Sequence, residues 1–321
     1  MMESHPAGPL HPGRPDRPVR PDEPPRVRGP ARPAGPDRRL RVRLALNRTA
    51  KALFLLSTAF ALSVLAVLIA QIAVQSRGWL DWPFLTGQLS LDPERAGILG
   101  AITGSLGLML VMMPVSFALG VATAVYLEEY AGQGRLKSFI QTNISNLAGV
   151  PSVIFGLLGL TVFNRLLGLG SSILAGGLTL SLLVLPIVVV SSQEAIRAVP
   201  GFLREAAYAA GATKWQTVRR AVLPAAMPGI LTGFILAVSR AIGETAPLVV
   251  LGVPVLLMPI PDSLFDDFTA LPVQIYYWTL DAVLVKEYAN LAAATIVVLL
   301  ALLFLLNAAA ILIRGKYQKR Y

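Results

Sequence analysis

The chain has 321 residues, of which 55% are hydrophobic and only 14% charged, and its mean hydropathy is positive. A soluble globular protein carries about 25% charged residues, so these charges are too few to cover a water-facing surface. Cysteine is absent, and the two histidines, His5 and His11, lie near the N-terminus, which excludes disulfides, cysteine nucleophiles, and thiolate or histidine metal sites in the apolar part.

Residues 1–43 are rich in Pro, Arg, Gly and Asp. Such a segment buries too little apolar surface to offset the entropy of ordering, and a disordered tail is expected there. Its basic region is too long for a signal peptide, and no A-x-A-like site closely follows the apolar run after it. Six apolar runs then follow, at about 52–74, 98–124, 144–166, 172–192, 226–251 and 289–313. Each approaches or exceeds the ~20 residues a helix needs to cross a bilayer. The expected fold is therefore an all-α integral membrane protein of about six transmembrane helices. The second and third runs are rich in Gly, Ser and Pro, which suits close packing inside a helix bundle.

The net charge is +10, and twelve of the 28 basic residues precede Ala52. With the N-terminus inside, 23 basic residues fall on the inner side and four (Arg77, Arg95, Arg165 and Lys286) on the outer side, with Arg240 inside a span. That asymmetry predicts cytoplasmic termini and explains the charge by membrane orientation, so no nucleic-acid partner is expected. Acidic residues gather outside, including Asp262, Asp266 and Asp267 in a proline-bearing loop read as solvated surface or as a contact for an outside partner. Glu128 and Glu129 end the second span on the inner side, where they can cap the helix or meet a partner.

Pro151 and Ser152, in "AGVPSVIFG", can break the third span and bare backbone N–H groups suited to an anion. A packing kink at a helix start is the other reading. Span five carries Arg240 and Glu244 in "AVSRAIGETAPL", on one helix face at i, i+4. They can form a structural salt bridge that fixes packing. Alternatively, Arg240 offers a planar donor fork to an oxyanion crossing the membrane, with Glu244 holding or competing for it.

Between spans four and five lies a polar stretch, 193–225, containing "REAAYAAGATKWQTVRRAVLP". Its Ala-rich, Glu-bearing start reads as a short strong helix, Gly211 as a C-cap or a close approach, and Pro224 as the end of the following amphipathic stretch. By itself this could be a helix on the inner membrane surface. The pattern Glu205-Ala206-Ala207, with Gly211 four residues on and Leu223-Pro224 beyond it, resembles the EAA signature of ABC importer permeases. Ala221 stands where that family usually has an aliphatic residue. The resemblance covers roughly residues 50–315. It sharpens toward the PstA-type permease family of bacterial phosphate importers at "GATKWQTVRRAVLPAAMPGILTGFILAVSRAIGETAPLVVLG" and "GVPSVIFGLLGL".

The resemblance implies a type I ABC importer permease fold in the bacterial cell (inner) membrane. It implies that the 193–225 loop, through Glu205, Ala206, Ala207, Gly211 and Ala212, couples to an ATP-binding cassette ATPase. The solute path expected from the two lines of reading together comprises Arg240, Glu244, Thr245 and Ser152. Implied partners are an ATPase dimer, a sister permease subunit, an extracytoplasmic phosphate-binding protein and phosphate itself. No cofactor is expected. No G-x-x-x-x-G-K-[ST] occurs in the sequence, so a transport subunit rather than an enzyme is expected, driven by its partner. The alternatives are the sister permease or a permease for sulfate or molybdate. A self-sufficient secondary transporter is a further rival. An intramembrane enzyme would need paired Asp, a Ser with a base, or H-E-x-x-H, and the apolar spans offer none.

Overall fold

A computed structural model describes residues 38–254 and 260–317. Most of the tail expected over 1–43, namely 1–37, lies outside the described residues, and a helix begins at Arg38. The chain divides into two compact units, 1–64 and 65–321. In the first, α1 (Arg38–Gln75, which runs on into the second) exposes Leu53, Phe54, Leu56, Phe60 and Leu62. Apolar side chains on such a surface suit hydrocarbon rather than water.

The second unit is almost wholly helical. After the short α2 (Trp82–Thr86), whose first turn is capped by the Asp81 carboxylate, come α3 (Leu99–Val125), α4 (Arg135–Leu147), α5 (Ser152–Gly159) and α6 (Ile173–Arg197). These are followed by α7 (Gly201–Ala209), α8 (Lys214–Thr217), α9 (Leu223–Ile242), α10 (Ala246–Leu251), α11 (Leu271–Asp281) and α12 (Glu287–Tyr317). Among the described residues five helices are long and apolar enough to cross a membrane, or six if the bent pair Arg135–Leu147 and Ser152–Leu166 is one span.

Of the two readings of Pro151, the break holds: within the run at 144–166, α4 and α5 meet at 102°, because Pro151 lacks an N–H and disfavours helical geometry in the residue before it. Two other expectations need correction. The run at 226–251 is divided at Gly243–Thr245, where α9 stops and α10 restarts with Pro247 in its first turn. Pro224 does not separate the amphipathic stretch from the span. A π-helical turn, Val218–Val222, joins α8 to α9, and Pro224 sits just beyond it. Such wide turns let a helix pass a residue that breaks its regular hydrogen bonding.

The core lies among α3, α6 and α9, where Leu108, Met112, Leu180, Val184, Val188 and Ala237 are buried together. In lipid the hydrophobic effect does not drive this packing, and close backbone approach does. A Cβ on Gly120 of α3 would fall 2.6 Å from Val188 of α6, and one on Gly233 of α9 would run into Ser191 of α6.

The loop before α11 enters the bundle. Phe268, Thr269, Ala270 and Leu271 are buried, and Gly104 leaves room for the Thr269 carbonyl. Ser105 Oγ accepts the Leu271 N–H at 2.9 Å. Ser105→Ala should leave that buried donor unpaired at a cost of about 1–3 kcal/mol, seen as a lower thermal unfolding midpoint of the detergent-purified protein. The same loop caps α6: the N–H groups of Ile173 and Leu174 donate to the carbonyls of Asp266 and Leu264. The Asp266 carboxylate accepts from the N–H groups of Asp262 and Ser263, so it shapes the loop rather than standing free.

Candidate functional site

The break between α9 and α10 places a charged pair beside the core of the bundle. Ala241 and Ile242 pack in the same core cluster as Leu180, which is seven residues, or about 10 Å at 1.5 Å per residue, inside α6. One turn of chain then leaves the helix: the Gly243 and Glu244 N–H groups bond back to the carbonyls of Arg240 and Ala241. Arg240 Nε donates to Glu244 Oε1 at 3.3 Å, with the two side chains 53% and 17% exposed. The Arg240 side chain makes no other hydrogen bond among the described residues, so the two Nη groups of its fork stay available. Thr245 follows, and its carbonyl accepts from Leu248 and Val249.

The break is buttressed from both sides. On α5, Gly156 allows α10 to close in, since a Cβ there would sit 2.8 Å from Pro247 Cα. Asn164 Nδ2 donates to the Leu251 carbonyl and to Ser171 Oγ, which itself donates to the Gly252 carbonyl. On α12, Asn307 Oδ1 accepts from Ser239 Oγ at 2.7 Å, and Arg314 Nη1 donates to Thr232. Asn164 and Asn307 escape sequence reasoning. The available signal is the isolation of each amide within an apolar run, where burial demands a partner. Ser152 stands half-buried at the start of α5, and among the described residues no hydrogen bond joins it to Arg240, Glu244 or Thr245.

The second cluster is the α7–α8 segment. Helix α7 buries no residue fully, and Phe202, Tyr208 and, beyond it, Trp215 are exposed. Glu205 and Ala206 are exposed, and Ala207 and Ala212 half-buried. The segment turns at Gly211, whose φ of +80° is in the left-handed region. The Gly211 N–H bonds to the Tyr208 carbonyl and the Ala212 N–H to that of Ala207, the paired bonds of a Schellman C-cap. Helix α8 starts at once with a capping box between Thr213 and Gln216. Glu128 and Glu129 face inward here. Glu128 pairs with Arg197 at 2.7 Å and Glu129 with Arg204 at 2.8 Å.

Residues 116–317 match the family described as "Binding-protein-dependent transport system inner membrane component". The chain is 35% identical over 202 residues to the probable ABC transporter permease protein YqgI of Bacillus subtilis, covering 63% of this chain and 69% of that protein. It is 37% identical over 277 residues to the phosphate transport system permease protein PstA of Mycobacterium leprae (82% and 88% covered). With PstA 1 of Mycobacterium tuberculosis it shares 41% over 179 residues (56% and 58%). Among solved structures it resembles the inward-facing MetNI methionine ABC transporter, with a TM-score of 0.56 at 19% identity over 69% of this chain and 96% of that one. A bacterial ABC transporter involved in alginate import also gives 0.56, at 18% identity over 86% and 100%. These likenesses establish the type I ABC importer permease fold.

Proposed function

This chain belongs to the binding-protein-dependent transport permease family, and from that premise we propose that it is the PstA-like membrane subunit of an ATP-driven phosphate importer. The observation that carries the reading is the half-exposed Arg240 guanidinium, with its Nη groups free, beside a helix break within the bundle. A charge at such depth is costly against lipid, so its open face belongs against a water-filled path or a second subunit. A guanidinium fork matches the oxygen geometry of phosphate. The relatives named as phosphate permeases support the choice of anion.

In this reading both termini are cytoplasmic, and residues 193–225 form the segment gripped by a separate ATPase dimer. Glu205 and Ala206 face that ATPase, and the Gly211 turn sets the angle between α7 and α8. The sister permease completes the path and a phosphate-binding protein delivers solute from outside. Nucleotide-driven closure of the ATPase moves α7, the two permease bundles rock, and the site lined by Arg240, Glu244, Thr245 and Ser152 faces outward and then inward.

The test is reconstitution of the chain with its ATPase, sister permease and binding protein in vesicles, followed by uptake of labelled phosphate, sulfate and molybdate. Uptake of phosphate that requires ATP hydrolysis is expected. Uptake of sulfate or molybdate in its place would transfer the chain to another oxyanion, and uptake without ATP would make it a secondary transporter.

A further inference from the structure

The end of α3 grips three successive elements of the chain through three consecutive residues. They lie in a π-helical turn, Tyr126–Tyr130, that continues α3. Glu128 takes Arg197 of α6 as a two-pronged fork: Nε donates to Oε2 at 2.9 Å and Nη2 to Oε1 at 2.7 Å. Gln193 adds a third donor to the same carboxylate and exchanges two hydrogen bonds with Gln141 of α4. Glu129 Oε1 accepts from both Nε and Nη2 of Arg204, on α7. Tyr130 presents its ring to Lys214 Nζ of α8, 5.0 Å from the centroid, a cation–π contact. Neighbouring residues on a helix point about 100° apart, so one turn fans its three side chains toward three different elements.

What fixes α7 is otherwise slight. It buries no residue fully, and Leu203 is its only hydrophobic side chain packed on the neighbouring buried cluster of Ile196, Val199 and Val218. Arg204 supplies the rest. Besides Glu129, it donates to the carbonyls of Val199 and Ile196 at the end of α6. The Glu129 side chain is 8% exposed and that of Arg204 24%, so removing either charge strands the other in a poorly hydrated place. Adjacent residues thus divide the work. Arg204 points into the protein, while the exposed Glu205 side chain makes no hydrogen bond or ion pair among the described residues.

We propose that the Tyr126–Tyr130 turn is the joint that locks α7 to α3 and α6, with Glu129 and Arg204 as positioning residues, so that the three elements move as one body when α7 is displaced. The inference rests on the reading of α7 as the ATPase-docking helix. A loose α7 would swing on its two flanking loops, and hydrolysis would no longer turn into movement of the spans.

The absence of cysteine from this chain permits a direct test in a complex assembled with cysteine-free partner subunits. Spin labels at Gly132→Cys and Gly201→Cys, two glycines where an added Cβ would meet open space, report the separation of the α3 end from α7. One narrow distance, the same without nucleotide and with ATP trapped, is expected, and a change between the two states would overturn the joint whatever solute is carried. Adding Glu129→Gln should broaden that distribution while the complex still assembles, since the amide oxygen still accepts from Arg204. In the same variant, phosphate carried per ATP hydrolysed should fall about fivefold or more, the low end of coupling factors between linked sites. An unchanged distribution with an unchanged ratio would sink the proposal. Failure of the unaltered complex to move phosphate, with a fixed label distance, would instead count against phosphate as the solute.

Discussion

An Arg240→Gln chain is expected to assemble with its partners and yet take up phosphate at least about thirtyfold more slowly. With the bound anion and the second subunit covering the fork in the loaded site, removing one partner of that charged hydrogen bond costs about 2–5 kcal/mol, and each 1.36 kcal/mol is a factor of ten in rate. Assembly should survive because an arginine at the centre of a membrane helix opposes insertion by about 2.5–3.5 kcal/mol, a burden that glutamine lightens. The competing account, a salt bridge that only fixes packing, makes a different prediction. An i, i+4 pair with Arg240 53% exposed contributes about 0.3–0.5 kcal/mol, and here arginine precedes glutamate, the less favourable order. Under that account Arg240→Gln and Glu244→Gln would have equally small effects. If Arg240 meets the anion, Glu244→Gln should differ from it in kind, because it frees the fork rather than removing it. Arg240→Lys should recover only part of the rate, since it keeps the charge and loses the paired geometry. Normal phosphate uptake in a correctly assembled Arg240→Gln complex would remove Arg240 from the transport path.

The five long apolar helices are legible in the sequence because run length alone carries them, and no tertiary contact is needed to see twenty apolar residues in a row. Breaks within the runs are legible only in part. Pro151 announces the bend between α4 and α5, but Gly243 and Pro247 do not declare a break, since each is tolerated within membrane helices. Helix α11 escapes notice because "LPVQIYYWTLD" is short and follows a loop of aspartates and prolines. It exists through burial of Leu271, Val273 and Trp278. Within the candidate site, the Arg240–Glu244 pair can be read because its spacing is local. The pairings of Glu128 with Arg197 and Glu129 with Arg204 span 69 and 75 positions. No periodicity encodes such a distance, and from sequence the two glutamates therefore read as caps or partner contacts.

The turn at Gly211 gives the second large effect. Its φ of +80° costs a residue with a Cβ about 1–2 kcal/mol, and a β-branched side chain is worse placed there than any other. Gly211→Val should therefore abandon the left-handed C-cap, release the bonds to the Tyr208 and Ala207 carbonyls, and change the angle at which α8 leaves α7. Space is not the obstacle, because a Cβ at Gly211 meets nothing within 4 Å; the penalty is in the backbone. About 1.4 kcal/mol is tenfold in a binding constant. Retention of the ATPase during purification, and ATP-driven uptake with it, should fall by about that factor. Gly211→Asn should lose much less, because asparagine tolerates the left-handed region, and Gly211→Ala should fall between them. That ordering (Asn above Ala above Val) distinguishes a conformational requirement from a demand for a small side chain, which would place Ala first. Full ATPase retention by Gly211→Val would mean that the α7–α8 turn is not what the ATPase grips.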